Sequence, residues 1–261
     1  MSVLRRVLAV AETAAVALTF TALLLGTMVG LVSVPGVTAA LIRANRTWIY
    51  TGLAPDTTVM LADGVRGWVT SYPDDVPSAA RRAMKSFAAD EVAHLTDVRA
   101  VMNAARLATG IAAALLAAWL VACLVFRRWL PLRRGFAAGG LTSVALVAVV
   151  AVASIWDFSS AFSAFHGLFF KAGTWEFPAE SLLIRVFPGP FWESAGALWG
   201  ALVAVAGAAL FIASRLLPRD DAEAQTISEK RRKRDRTGMV EQEPDDGSTD
   251  DAGHSGGVTP S

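Results

Sequence analysis

Two of the chain's three histidines, His94 and His166, lie among residue types that can tune an imidazole. His94 falls in "DEVAHLTDV", residues 90–98. On a helix Asp90 lies four residues before it, Glu91 three before and Asp97 three after, so the three carboxylates share its side of the cylinder. A carboxylate near an imidazole favours the protonated ring and can fix which nitrogen carries the proton. Glu91 and Asp97 are therefore the residues that could orient or support His94. The plainer alternative is a solvated charged face with an incidental histidine. His166 falls in "FHGLFFKAGTWEFP", residues 165–178. Phe158, Phe162, Phe165 and Phe169 recur at spacings of four, three and four, which predicts a short amphipathic helix with His166 about 70° from the centre of the stripe. Phe162, Phe165, Phe169, Phe170 and Trp175 are the expected lining of a pocket for acyl chains or other lipid. A passive belt of interfacial rings is the alternative.

Two histidines with nearby carboxylates in an aromatic pocket suit proton shuttling at neutral pH. A two-histidine metal site is the rival chemistry, but it needs a third or fourth ligand. The sequence carries no HExxH or other spaced ligand motif, so neither a metal nor another cofactor is expected. It also carries no GxSxG elbow, no Walker loop and no GxGxxG after a strand. Cys123, the one cysteine, sits in an apolar run that keeps a thiol protonated and inert. Acyl chemistry on this chain would therefore proceed without a covalent acyl-enzyme.

The elements that must position these residues belong to a membrane protein. The 261 residues are 54% hydrophobic and 18% charged, with a mean hydropathy of +0.45, too apolar for an ordinary soluble domain. Four windows lack a charged side chain, at 13–32, 107–126, 136–156 and 194–214, and each can cross a bilayer core of roughly 30 Å. They are rich in Ala, Gly and Val, and such small residues let helix backbones approach closely. The first window could instead be a secretory signal, with Arg5 and Arg6 before it and "VTA" at 37–39 after it. Its apolar core is longer than a signal's, which favours an uncleaved helix.

Short basic segments set the orientation. "RRWLPLRRG" at 127–135 holds Arg127, Arg128, Arg133 and Arg134 and no acid, and the positive-inside rule places it in the cytoplasm. The N-terminal arginines and the basic cluster at 230–236 agree. Both termini are then cytoplasmic, and the segments 33–106 and 157–191 face out, each bringing one histidine to the same side. Residues 85–106 lack Pro and Gly and repeat apolar residues at helical spacing, so a helix there is expected to run on into the second span. Residues 219–261 are polar and low in aromatics, which predicts a disordered cytoplasmic tail, its basic cluster lying against anionic lipid rather than nucleic acid. His254 falls in that tail and has no expected role. The expected fold is all-α: a transmembrane domain over 1–218 with four spans and an extracytoplasmic, aromatic-rich cap built from the two outer segments.

"WIYTGLAP" at 48–55, "DEVAHLTDV", "FHGLFF" at 165–170, Trp175 and "LIRVFPGPFW" at 183–192 occur in an order and spacing that resembles the bacterial DUF1461 integral membrane family, which includes lipoprotein intramolecular transacylases. The likeness spans about residues 4–217. It implies a multi-pass protein of the bacterial plasma membrane in which His94 and His166, at an extracytoplasmic site, serve acyl transfer. The implied substrate is a diacylglyceryl lipoprotein, whose sn-2 acyl chain moves to the α-amino group of the same cysteine and leaves a lyso-form lipoprotein. Membrane lipid is the other implied partner, with no nucleic acid and no cofactor. A membrane protein of the same fold that binds lipid or lipoprotein without catalysis is the alternative.

Overall fold

The computed structural model describes residues 3–126 and 129–218, and their regular structure is entirely helical. The expected tail with its basic cluster and His254, and the arginines Arg127 and Arg128, lie outside the described residues. Among the described residues four helices are long and apolar enough to cross a membrane: α1 (Val3–Ser33), through its part Thr13–Ser33, α6 (Ala89–Phe126), α7 (Leu130–Trp156) and α10 (Gly189–Leu216). Between α1 and α6 lie α2 (Val37–Ala44), α3 (Trp48–Thr51), α4 (Pro55–Thr70) and α5 (Ser78–Met84). Between α7 and α10 lie α8 (Phe158–Phe169) and α9 (Leu182–Val186).

The spans carry apolar residues on their outward faces, as Leu107, Ile111, Leu115, Val121 and Leu124 of α6 illustrate. A helix without a polar face is stable outward only against lipid. Lipid gives apolar helices no hydrophobic reason to associate, so close backbone packing must hold them together. α7 lies along both α1 and α10, while α6 joins the bundle through α1 and scarcely meets α7. Where α7 crosses α10, a Cβ on Gly140 would stand 2.7 Å from the carbonyl oxygen of Gly207. Glycine is what lets these backbones meet. The hydroxyls of Thr19 and Ser143 donate to the carbonyls of Ala15 and Gly139 one turn earlier, so neither needs a partner in lipid.

Two sequence expectations change in detail. The helix expected from residue 85 begins at Ala89, because Lys85, Ser86 and Phe87 close the end of α5 with bonds to Arg82, Ala83 and Met84. α7 begins at Leu130, inside the arginine-rich segment. Pro131 is accommodated in the first turn of α7, where its missing N–H has no intrahelical acceptor, so Arg133 and Arg134 become helical. Arg133 Nε donates to the Ser214 carbonyl at 3.2 Å, satisfying one of the last carbonyls of α10 with a cation.

The 38 residues of α6 extend roughly 57 Å, about twice what the bilayer core requires. Its charge-free second half spans, and its first half stands clear and carries His94. Around that half the two outer segments fold together on one hydrophobic core. Ile42 of α2, Leu61 and Val65 of α4, Met84 of α5, Leu95 of α6 and Val186 of α9 share one buried cluster. The cluster lies at the end of the bundle where α1 and α7 finish and α6 and α10 begin. α4 docks through Thr58, Leu61, Ala62, Val65 and Val69, the stripe an amphipathic helix buries. Its C-terminal carbonyls are taken by α6: Arg106 Nη2 donates to Thr70 at 2.8 Å and Asn103 Nδ2 to Ser71 at 3.4 Å.

Candidate active site

His94 is placed by the first turns of α6, and its neighbour Glu91 fixes where those turns begin. Glu91 is buried, 2% exposed. Its Oε2 accepts the Ala88 N–H at 2.7 Å, capping α6, and its Oε1 accepts the Leu183 N–H at 2.8 Å. Leu183 is in the first turn of α9, where N–H groups have no intrahelical partner. One carboxylate therefore ties the N-termini of α6 and α9 together, and charge-assisted bonds of this kind are the stronger ones. Both Glu91 oxygens are thereby committed to backbone N–H groups, at the start of the helix that carries His94. Burial, and then the neighbouring His166, push the His94 pKa down; Asp97, exposed and without a hydrogen bond among the described residues, offsets this only in part and through space.

His166 is placed by α8, which starts where Asp157 caps it. The Asp157 carboxylate accepts the Ser160 N–H at 3.1 Å and the Ser160 hydroxyl at 2.6 Å. These bonds, the hydroxyl's foremost, hold Asp157 below the ordinary carboxylate range. Sequence reasoning treated Asp157 only as a boundary, although an Asp followed three residues later by Ser at the start of an aromatic stripe is a legible cap. Within α8, His166 Nδ1 lies 2.9 Å from the Phe162 carbonyl oxygen. That oxygen can only accept, so Nδ1 carries the proton and the neutral ring keeps its lone pair on Nε2. Burial pushes the His166 pKa down, and the Phe162 bond pulls it up less strongly.

The two histidines meet. Their ring centroids are 6.3 Å apart with planes 29° from parallel, although one comes from α6 and the other from α8. His94 is buried, 7% exposed, and its Nδ1 has no hydrogen-bond partner among the described residues. Phe162 lies against His166 at 4.0 Å between centroids, Trp175 at 4.8 Å and Phe170 at 5.8 Å. Phe170 also meets His94, edge-on at 4.9 Å. Of the expected pocket residues, Phe162, Phe170 and Trp175 line the pair. Phe165 reaches the edge of His166 at 5.6 Å but is 43% exposed, and Phe169, 48% exposed, contacts Phe165 and Phe170 and neither histidine. With Leu168 they form an open apolar face on α8. Phe177, 5.6 Å from His94, and Trp192, 5.9 Å from Phe162, complete the surround. Neither stands at helical spacing from the Phe stripe, and only the fold of residues 170–192 brings them in.

A left-handed turn delivers Trp175. Gly173 has φ +80°, a conformation costly for residues with a Cβ. The Thr174 N–H and hydroxyl both donate to the Lys171 carbonyl, at 3.2 and 2.8 Å. The chain reverses there and lays the indole on His166. Among the described residues no three or more His, Cys, Asp or Glu side chains converge as a metal would require.

Residues 75–192, which hold both histidines and most of their surround, match the family model of the lipoprotein intramolecular transacylase Lit. The chain resembles the Lit family. In fold it is similar to the in meso structure of the membrane integral lipoprotein intramolecular transacylase Lit from Bacillus cereus, at TM-score 0.69 and 12% identity, over 81% of this chain and 95% of that one. Two structures of Bacillus cereus Lit with one histidine replaced, by alanine or by arginine, match at TM-scores of 0.55 and 0.52 and identities of 14% and 15%. They cover 96% and 94% of their own lengths. Identities this low carry the Lit fold of four long helices and nothing finer. No curated protein sequence matches the chain.

Proposed function

We propose that the chain is a Lit-like intramolecular transacylase, moving the sn-2 acyl chain of a diacylglyceryl-cysteine lipoprotein to the α-amino group of the same cysteine at an extracytoplasmic site. The observation that carries the reading is the meeting of His94 and His166 inside an aromatic surround, 6.3 Å between ring centroids. Oxygen-to-nitrogen acyl transfer needs one group to take a proton from the attacking amine and one to give a proton to the departing glyceryl oxygen. Two imidazoles that reach the same small group of atoms supply both, and no nucleophile of the protein is needed. His166, with Nδ1–H held by the Phe162 carbonyl, offers Nε2 as the base. His94, buried beside it, is the partner that protonates the leaving oxygen. The bond formed is N–C(acyl) and the bond broken is C(acyl)–O(glyceryl). The proton removed at nitrogen is balanced by the one delivered at oxygen. Holding both groups of one molecule between the rings removes much of the entropic barrier of a bimolecular step.

The open face of Phe165, Leu168 and Phe169 suits contact with lipid and would serve a non-catalytic lipid-binding protein as well. Such a protein has no use for two imidazoles stacked on each other within a ring of aromatics, His94 buried and His166 half-buried, which favours catalysis. The test expresses the chain in cells lacking other lipoprotein N-acylation enzymes and maps acyl groups on a lipoprotein N-terminus by mass spectrometry. N-acylated, lyso-form product is expected. A lipoprotein left with both ester-linked chains and a free amine would refute the reading.

A further inference from the structure

Acyl transfer from an ester to an amine passes through a tetrahedral intermediate whose former carbonyl oxygen carries negative charge, and a proton-moving pair leaves that oxygen unsupported. Donors fixed before the reaction, on groups that need no rearrangement, stabilise such an oxyanion best. The Trp175 indole meets that description. Its Nε1–H, a donor only, is buried and has no acceptor among the described residues. Leaving a buried N–H unpaired is destabilising, and an Nε1–H retained in that state beside two histidines is matched to an acceptor that arrives with the substrate. Three other buried side-chain nitrogens lack a partner among the described residues: His94 Nδ1 in the pair itself, Trp68 Nε1 and Arg185 Nε. The Trp68 ring lies under Arg99 on α6, at 4.5 Å, and neither side chain has a ring contact with a histidine. The Trp175 ring lies 4.8 Å from His166, held there by the Gly173 and Thr174 turn.

We infer that Trp175 is a third catalytic residue, its indole N–H donating to the acyl carbonyl oxygen as that oxygen becomes the oxyanion. The assignment rests on the transacylase reading and gives Trp175 a role distinct from lining the pocket. When the amine nitrogen bonds to the acyl carbon, the π electrons of the carbonyl move onto the oxygen that faces the indole. They return as the C–O(glyceryl) bond breaks and His94 protonates the glyceryl oxygen. The indole N–H keeps its proton throughout.

The test uses the purified full chain in detergent with a synthetic dipalmitoylglyceryl-cysteine peptide, following N-palmitoylation by mass spectrometry. Trp175→Phe keeps an aromatic ring against His166 and deletes the donor. Replacement of Trp175 by β-(3-benzothienyl)alanine keeps the bicyclic shape and exchanges N–H for sulfur. Both should lose roughly 10² to 10³-fold in kcat, the effect of one oxyanion donor, with KM and thermal unfolding close to the parent's. A benzothienyl variant at parental kcat overturns the assignment, as does a change confined to KM, which would make Trp175 a wall of the pocket. His166→Gln run alongside separates the two claims. If it is dead while the benzothienyl variant is fully active, only the Trp175 role falls. If parent and His166→Gln are equally active or equally inert, the transacylase reading falls and takes this role with it.

Discussion

His94 and His166 are held by different means, and the parts proposed for them differ accordingly. His166 has its Nδ1 proton fixed by the Phe162 carbonyl, whereas His94 Nδ1 has no partner among the described residues. Replacing either with Gln should lower N-acylated product by about 10² to 10⁴-fold, the usual contribution of general acid-base catalysis. The double variant should be far less than multiplicative, because the pair acts as a unit; product would be quantified by mass spectrometry at equal membrane expression. The acid side of the pH profile follows from burial, which holds the His166 pKa below its ordinary value. The base must be neutral to act. Activity should therefore persist as pH falls to about 6.5, the unperturbed histidine pKa, and decline only below it. Stability follows the same sign: the unfolded ring takes its proton at higher pH than the folded one, so this residue's contribution is present above about 6.5 and lost as pH falls through the folded value. A kcat/KM profile whose acid limb lies above 6.5 would count against His166 as the base.

At the scale of elements, the site depends on helix ends. Glu91 joins the N-termini of α6 and α9 by accepting from Ala88 and Leu183. Glu91→Ala leaves two N–H groups without an acceptor and should destabilise the chain by about 1–3 kcal/mol, measured as thermal unfolding in detergent, with activity falling in parallel as His94 loses its footing. Glu91→Gln retains an acceptor oxygen and should lie between the two. Activity abolished in Glu91→Gln at unchanged stability would instead make Glu91 a proton carrier. In the spans the critical feature is the Gly140 and Gly207 crossing. Gly140→Ala sets a methyl group 2.7 Å from a backbone oxygen and should destabilise by about 1–3 kcal/mol, as overpacking does. Gly110→Ala, which meets nothing within 4 Å, should leave the unfolding temperature unchanged or slightly raised, through helix propensity.

For the whole molecule, the two outer segments fold into one cap core at one end of the bundle, so both must lie on the same side of the membrane. The basic residues Arg133 and Arg134 lie at the opposite end, beside the end of α10. The positive-inside rule predicts that this end is cytoplasmic. Cysteines at the exposed positions Asp74 and Thr174 should react with an impermeant thiol reagent in intact cells, and one at Pro218, just past α10, should not. Labelling at Pro218 with none at the other two would invert the topology and place both histidines in the cytoplasm.

The sequence by itself determined the spans, because a run of about twenty residues without charge has one stable environment and composition alone reveals it. It also determined the helical character of residues 89–106 and 158–169, whose apolar periodicity is local, and it singled out His94 and His166 through their unusual neighbours. Tertiary structure decided what those neighbours do. Glu91 stands at the right spacing to serve His94, yet its oxygens go to backbone N–H groups, one of them in a helix 92 positions along the chain. Spacing records which face a residue occupies and not what arrives opposite it. The same limit hid Phe177 and Trp192, and it divided the Phe stripe into rings that enclose the histidines and rings that remain open. The 6.3 Å meeting of the two imidazoles depends on α6 outreaching the bilayer, on α8 being capped at Asp157, and on the turn at Gly173 bringing residues 175–192 back over them. Those are long-range placements, set by packing between segments that no local pattern encodes.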